Sequence, residues 1–417
     1  MINLETPRKF ETQIGQAHQV AVNVFRPNSR KYDTAEHAYP KELDMLAALI
    51  DGMTESGGVA GAGVGTVGGG TNGASSTSGN GAGTDSANRN GSNMASLLGL
   101  IELCWGDVGL LLSMPRQGLG QAAIAAVANE EQLERFGGKW AAMAITEPEA
   151  GSDSAAIRTT ARIDPAHPDE YVLNGSKIYV TSGERAELIV VWATLDRCQG
   201  RAAIKSFVVE RSNPGLKLER LEHKLGIRAS DTANFVLEDC RVPKQNLLGS
   251  PEIETRRGFA GAMQTFDNTR PMVAGMAIGV ARACLEATRE HLRSAGIEID
   301  YLRAGSFTQS AAAAEFIAME ADWEAARLLT LQAAWMADNH TPNSLQASMA
   351  KAKAGRVGTE IALRCVALCG ATGFGEGELL EKWARDAKIL DLFEGTQQIQ
   401  LLIIARTLLG VSSAELK

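Results

Sequence analysis

Trp140-Ala-Ala-Met143-Ala-Ile145-Thr146 marks the point where the chain changes its period. Before it, apolar residues recur at helical spacing: Ile14, Val20, Val24 and Phe25, then Leu43, Leu46 and Leu49, then Leu97, Leu98, Ile101 and Leu103. An Ala-rich helix is expected over 117–128, and Asn129 opens a short further one. After it come short runs of β-formers at 141–146, 158–163, 171–173, 177–181, 188–193, 205–209 and 234–237. Turn signals part them: Asn174-Gly175, read as a hairpin, then Ser182-Gly183 and Asn213-Pro-Gly215. From residue 256 to 409 helical spacing returns in long pieces at 273–293, 311–338, 344–368 and 396–409. The last lies between an N-capping Thr396 and a stop at Gly410. Strands bunched between helices, rather than alternating with them, argue against a parallel α/β sheet. The expected class is α+β: an N-terminal α-helical domain over 1–140, a middle β domain over 141–252 and a C-terminal four-helix-bundle domain over 253–417. The evenly spaced strands suit a small barrel or sandwich.

The helical start is interrupted. Between Gly57 and Ala87 there is no Leu, Ile, Lys or aromatic residue. Such a stretch cannot bury enough apolar surface to offset its ordering entropy, so 57–92 reads as a flexible surface loop. Gly63-Val-Gly65-Thr-Val-Gly68 inside it matches the dinucleotide fingerprint in form only. That fingerprint needs a strand before it and a helix after it, and neither pattern is present here.

The chain has 417 residues, with 41 Lys+Arg against 49 Asp+Glu and a net charge of −8. No basic excess and only 5% aromatics argue against a nucleic-acid partner. The six cysteines include no CxxC pair, and the i, i+4 pair Cys365 and Cys369 reads as packing. With the histidines scattered as well, no metal site is expected. The first residues, MINLETPRKFETQ, carry no apolar core of signal-peptide length, and no run of 18 apolar residues suggests a membrane span. A cytoplasmic location is the expectation.

Three segments carry chemistry. Thr146-Glu-Pro-Glu-Ala-Gly-Ser-Asp153 leaves a strand through a Gly-Ser turn whose N–H groups suit anionic oxygens, though an ordinary strand exit reads the same. Asn174-Gly-Ser-Lys-Ile-Tyr-Val-Thr181 alternates so that Tyr179 and Thr181 share a face of a half-buried strand. Asp391-Leu-Phe-Glu394-Gly-Thr-Gln-Gln-Ile-Gln400 sets a carboxylate beside an apolar helix. Burial there would raise its pKa and suit a general base. A glutamate favoured by a helix dipole is the equal alternative.

Taken in order, these segments with Phe266-Asp-Asn-Thr-Arg-Pro271 and Arg385-Asp-Ala-Lys388 make the chain resemble the acyl-CoA dehydrogenase family of flavoproteins over nearly its whole length. The resemblance implies FAD, an acyl-CoA substrate and α,β-dehydrogenation to the trans-2-enoyl-CoA, with hydride passing to flavin N5. It implies electron-transferring flavoprotein as acceptor and a homodimer or homotetramer, and it leaves open an oxidase of the same fold. By position it places Met143, Ile145, Thr146, Ser152, Tyr179, Val180, Thr181, Gly395, Thr396 and Gln398 against FAD. Ser152, Asp267, Thr269 and Arg270 fall against the CoA ester. Glu394 falls at the catalytic base, because Thr269 occupies the other position used for it in the family and cannot do that work. Neighbour-subunit flavin contacts depart from the family pattern. No Arg-x-x-Phe-Gly occurs near 291–306, Ala367 replaces a Gln, Gly370-Ala371 replaces Gly-Gly, and Gln309-Ser310 replaces a His-Gln pair. These departures imply a looser grip on FAD and bring in a further reading, a half-site subunit of a heteromeric dehydrogenase.

Overall fold

The computed structural model describes residues 7–55, 90–116, 119–253, 260–303, 309–412 and 415. The Gly-rich stretch 57–89 lies outside them. Helices α1 (Glu11–Val20) and α2 (Arg26–Thr34) form one rod joined by a wider π turn, Ala21–Phe25. Pro27 lacks an N–H to bond backwards, and the widened turn, in which the Arg26 N–H reaches Ala21 O, takes up the mismatch. Next come α3 (Glu42–Glu55), α4 (Ser92–Gly106), α5 (Val108–Leu111), α6 (Leu119–Val127) and α7 (Glu130–Phe136). Helix α7 opens with a capping box between Asn129 and Gln132. Helix α4 starts on a carboxylate from far along the chain: Asp338 accepts from the backbone N–H groups of Gly91, Asn93 and Met94 at 2.6–3.0 Å.

The middle of the chain makes β1 (Ala141–Ala144), β2 (Thr160–Asp164), β3 (His167–Thr181), β4 (Leu188–Thr194), β5 (Ile204–Glu210), β6 (Leu216–Leu221) and β7 (Thr232–Pro243). They form one curled seven-stranded sheet, ordered β1-β4-β2-β3-β7-β6 with β5 also on β4. It replaces the expected barrel or sandwich. The hairpin expected at Asn174-Gly175 is a bulge inside the 15-residue β3, which pairs with β7 on both sides of it. Asn174 trades hydrogen bonds with Asp239 across the bulge. A Cβ on Gly175 would lie 2.4 Å from Thr159 Oγ1, so the glycine permits close approach of β2 rather than a reversal. The real β2–β3 turn lies at 164–167. Leu173, Val180, Ile189, Val191, Phe207 and Phe235 fill the sheet's core.

The C-terminal part makes α8 (Ala260–Ser294), α9 (Ala311–Asp338), α10 (Ser344–Phe374), α11 (Leu380–Ala387) and α12 (Gln397–Leu409). Gly410 ends α12 in the left-handed conformation, φ 67°. Helix α10 runs past its expected stop because Gly370 (φ 55°) kinks it without ending it. It is long and apolar enough to cross a membrane, a pattern missed in the sequence, and here it packs against α8, α9, α11 and α12. One apolar core joins residues of α1 and α4 (Phe25 just beyond α1, Leu97, Ile101) to residues of α8–α11 (Met276, Phe316, Ile361, Trp383).

Candidate active site

The turn after α11 is built from two successive left-handed residues, Glu394 (φ 57°) and Gly395 (φ 89°). A non-glycine residue in that conformation costs about 1–3 kcal/mol and persists where its surroundings hold it. Here Gln400 Nε2 donates to Glu394 O at 3.1 Å and to Gly395 O at 3.2 Å, and Lys351 Nζ donates to Gly395 O at 2.6 Å. Thr396 then caps α12 through the Ile399 N–H. A Cβ on Gly395 would lie 2.5 Å from Gln400 Nε2, so with its left-handed backbone the position favours glycine.

Thr269 and Arg270 on α8 are both buried. Thr269 Oγ1 donates to Glu394 Oε2 at 2.8 Å. Glu394 keeps part of its surface open, yet its carboxyl lies deep among protein atoms. Burial pushes its pKa above the ordinary carboxylate range, while the Thr269 hydrogen bond and the Arg270 and Lys351 charges pull it down. Burial also lowers the fully enclosed Lys351 to about 8, against the pull of Asp391 and Glu394. A carboxylate held in this way, with one oxygen fixed and two cations close by, has the chemistry of a candidate general base.

A second arm lies on the sheet. Lys177, buried completely, donates to Glu147 Oε1 at 2.6 Å and to Ile145 O at 3.1 Å. The N–H groups of Arg158 and Thr159 also reach the Glu147 carboxylate. With Ile178 N bonded to Thr146 O at 3.0 Å, this pins 145–147 beside 177–179. Tyr179 has φ 57° where the β3–β7 register shifts, and it is 61% exposed. Met143, Thr146 and Thr181 are half-buried, and Ser152 is exposed. Ile145 and Val180 are buried in apolar clusters, so only their backbones are available to a ligand. An open aromatic ring bordered by hydroxyls and strand-edge amides fits a flavin, which is flat, with an apolar face and a polar pyrimidine edge. On the Glu394 turn and the start of α12, Gly395 and Thr396 are half-buried and Gln398 is exposed. The Asp267 side chain lies outside the described residues.

Sequence reasoning did not find Lys351 or Gln400. Lys351 sits among alanines at a buried phase of α10, and Gln400 sits within an apolar helix; a polar residue at such a phase was the available signal. Arg385-Asp-Ala-Lys388 is structural rather than chemical. Lys382 Nζ lies 2.6 Å from both Asp107 Oδ2 and Asp386 Oδ2, all fully buried. Asp386 accepts the Ile227 N–H, and Arg385 makes two hydrogen bonds to Asp33 and one to Leu225 O. The histidines do meet after all: the His37 and His223 rings lie 5.0 Å apart.

Where flavin contacts depart from the family pattern, Ser310 is committed to capping α9 through the Ala313 N–H. Ala367, Gly370 and Ala371 are exposed on α10. Of the two arginines that could stand in for the one in the absent Arg-x-x-Phe-Gly, Arg293 pairs with Glu290 at 3.9 Å, and the Arg303 side chain lies outside the described residues.

The acyl-CoA dehydrogenase middle-domain profile matches residues 142–240, and the C-terminal-domain profile matches 256–409. The chain is 39% identical over 276 residues to the mitochondrial short-chain specific acyl-CoA dehydrogenase of Rattus norvegicus, covering 66% of this chain and 64% of that protein, just under two thirds of its length. It is 33% identical over 315 residues to the short-chain specific acyl-CoA dehydrogenase of Clostridium acetobutylicum, covering 73% of this chain and 79% of that one. Its fold is similar to butyryl-CoA dehydrogenase from Megasphaera elsdenii, with TM-score 0.79 and 27% identity over 98% of this chain and 100% of that one.

Proposed function

The chain belongs to the acyl-CoA dehydrogenase family, and from that membership we propose that it carries FAD and dehydrogenates the α,β-bond of an acyl-CoA to the trans-2-enoyl thioester. The observation that supports this most directly is Glu394, a carboxyl with raised pKa fixed by Thr269 on a turn held by Lys351 and Gln400. Oε2 accepts from Thr269, which leaves Oε1 to take the α-proton. Burial makes the carboxylate a stronger base, and the Thr269 hydrogen bond and the Arg270 and Lys351 charges oppose that rise. The Glu394 N–H, presented by the left-handed turn, is suited to the thioester carbonyl, where negative charge develops as the proton leaves. Tyr179, Thr146, Thr181 and the strand-edge backbone would hold FAD, which when bound would supply the acceptor for the hydride from the β-carbon. Ser152, Thr269 and Arg270 stand as the CoA-side contacts.

The names of the relatives favour a short acyl chain, and the family favours electron-transferring flavoprotein as the oxidant that restores the enzyme. The six cysteines, none in a disulfide, suit the cytoplasm. Exposed Leu401, Leu402, Leu408 and Leu409 on α12 favour a second copy of the chain on that helix. A heteromer is favoured instead by the altered residues Ala367, Gly370 and Ala371, which lie open on α10. The test is anaerobic titration of the purified chain, with FAD added, against butyryl-CoA and longer acyl-CoAs. Bleaching of the flavin absorbance is expected with the short substrates. An absence of flavin binding and of bleaching, alone or with a partner chain, would overturn the proposal.

A further inference from the structure

Away from the catalytic turn, Glu36 and His37, in the turn after α2, meet His223, in the segment between β6 and β7. His223 Nδ1 lies 2.9 Å from Glu36 Oε2. The two imidazole rings are 5.0 Å apart and tilted by 55°. The donor atoms of all three residues lie within 4.8 Å of one another. Tetrahedral zinc with bonds of about 2.0–2.1 Å spaces its donors about 3.3 Å apart, inside that range.

His37 is the unexplained member. Its backbone is left-handed, φ 70°, which is uncommon for a residue other than glycine, although histidine adopts it more often than most. Both its ring nitrogens are enclosed by protein, with no hydrogen-bond partner among the described residues. An enclosed imidazole with two unsatisfied nitrogens is costly, and a bound cation would satisfy one of them.

The carboxylate is prepared in the same sense. Glu36 Oε1 accepts the Lys224 N–H at 2.8 Å, which orients the group and leaves Oε2 on the side of the histidines. The Lys224 ammonium is 3.9 Å from Oε1, not Oε2, and donates to Ser230 O at 2.9 Å. Two imidazoles and one carboxylate form a borderline donor set, which selects zinc-class transition ions over magnesium or calcium.

We propose that Glu36, His37 and His223 form a binding site for a divalent transition ion of the zinc class, which ties the N-terminal helices to the sheet. The ion takes Glu36 Oε2, one nitrogen from each ring, and water in its fourth position. No chemistry is assigned to it. His223 is 84% exposed, so the fourth position faces solvent and the ion exchanges with the medium.

The test is calorimetric titration of the tag-free chain, stripped with EDTA and dialysed, with ZnCl2 alone, and in parallel with MgCl2 and CaCl2. One saturable zinc per chain is expected, together with a higher melting temperature and no response to the other two salts. His223→Ala removes an exposed ligand and is not expected to disturb the fold. His37→Asn removes the other ring with a residue that tolerates the same backbone. Each should weaken zinc by at least about tenfold, the scale on which even outer-shell changes act. Absence of zinc binding would overturn the proposal. So would binding that survives both variants unchanged, which would put the ion elsewhere, for example on the exposed Cys198, or an equal response to magnesium.

Discussion

Replacing Glu394 by Gln separates the chemistry from the fold. The amide oxygen can still accept from Thr269 Oγ1, which donates to the native carboxylate at 2.8 Å, and the Gln400 and Lys351 bonds to the turn use backbone carbonyls and survive. What disappears is the base and its attraction to Arg270 and Lys351. Removal of a positioned general base costs about 10²–10⁴-fold, or about 3–5.5 kcal/mol of barrier. Anaerobic mixing with an acyl-CoA that bleaches the native flavin should therefore give a complex whose flavin bleaches slower by that factor. The same variant has a signature in stability. The folded pKa of Glu394 lies above its unfolded value, so its contribution is full below the ordinary carboxylate range and is lost as pH rises through the folded pKa. Gln cannot ionise. The variant should melt above the native protein at pH 8, and the difference should vanish as pH falls below about 4, where the native carboxyl is protonated in both states. Bleaching at the native rate would refute Glu394 as the base. A melting-temperature gain that does not change with pH would refute the assignment of its raised pKa to burial.

The neighbours give sharper, smaller effects. Lys351→Met removes a cation beside Glu394, so the acid limb of the pH profile for bleaching should move up by about one pH unit; an unmoved limb would show that Lys351 serves the turn alone. Gly395→Ala combines a left-handed backbone with a contact of 2.5 Å to Gln400 Nε2, and urea unfolding should show a loss of about 1–3 kcal/mol. Lys382→Met leaves Asp107 and Asp386 buried without their cation and should cost about 3–5 kcal/mol by the same assay; a loss under 1 kcal/mol would mean that water reaches the pair.

The succession helix, sheet, helix was legible because each class repeats its period over many residues, and 311–338 is an unbroken helix as expected. What failed were local signals that distant partners override. Asn174-Gly175 is a strong hairpin signal, but Asp239 and Thr159 take up its side chain and its open Cα, and the strand runs on. The single curled sheet follows from β3 continuing through that point. Glu394 could be read alone either as a base or as an exposed helix-start glutamate. In the fold its carboxyl is enclosed beside Thr269 and Lys351 rather than exposed, and these come from helices that are far away in sequence. His37 and His223 looked scattered for the same reason: the turn after α2 and the segment after β6 meet only in the fold.

The Glu394 turn also depends on a seam that contains none of the proposed reacting groups. Lys382 joins Asp107, the cap of α5, to Asp386 on α11, and Asp386 holds the Ile227 N–H of the sheet domain. Arg385 adds Asp33 from α2 and Leu225 O. A Cβ on Gly226 would lie 2.4 Å from Arg385 O, so the sheet's loop lies directly on the backbone of α11. From α11 a short 3-10 helix, Lys388–Asp391, leads to the turn that carries Glu394. The position of the carboxyl relative to Tyr179 and Thr146 is therefore set through this buried cluster of charges. Apolar packing between two surfaces tolerates sliding, whereas a lysine fixed between two carboxylates at 2.6 Å does not. This gives a physical reason for burying Lys382 with Asp107 and Asp386 where α11 meets the sheet.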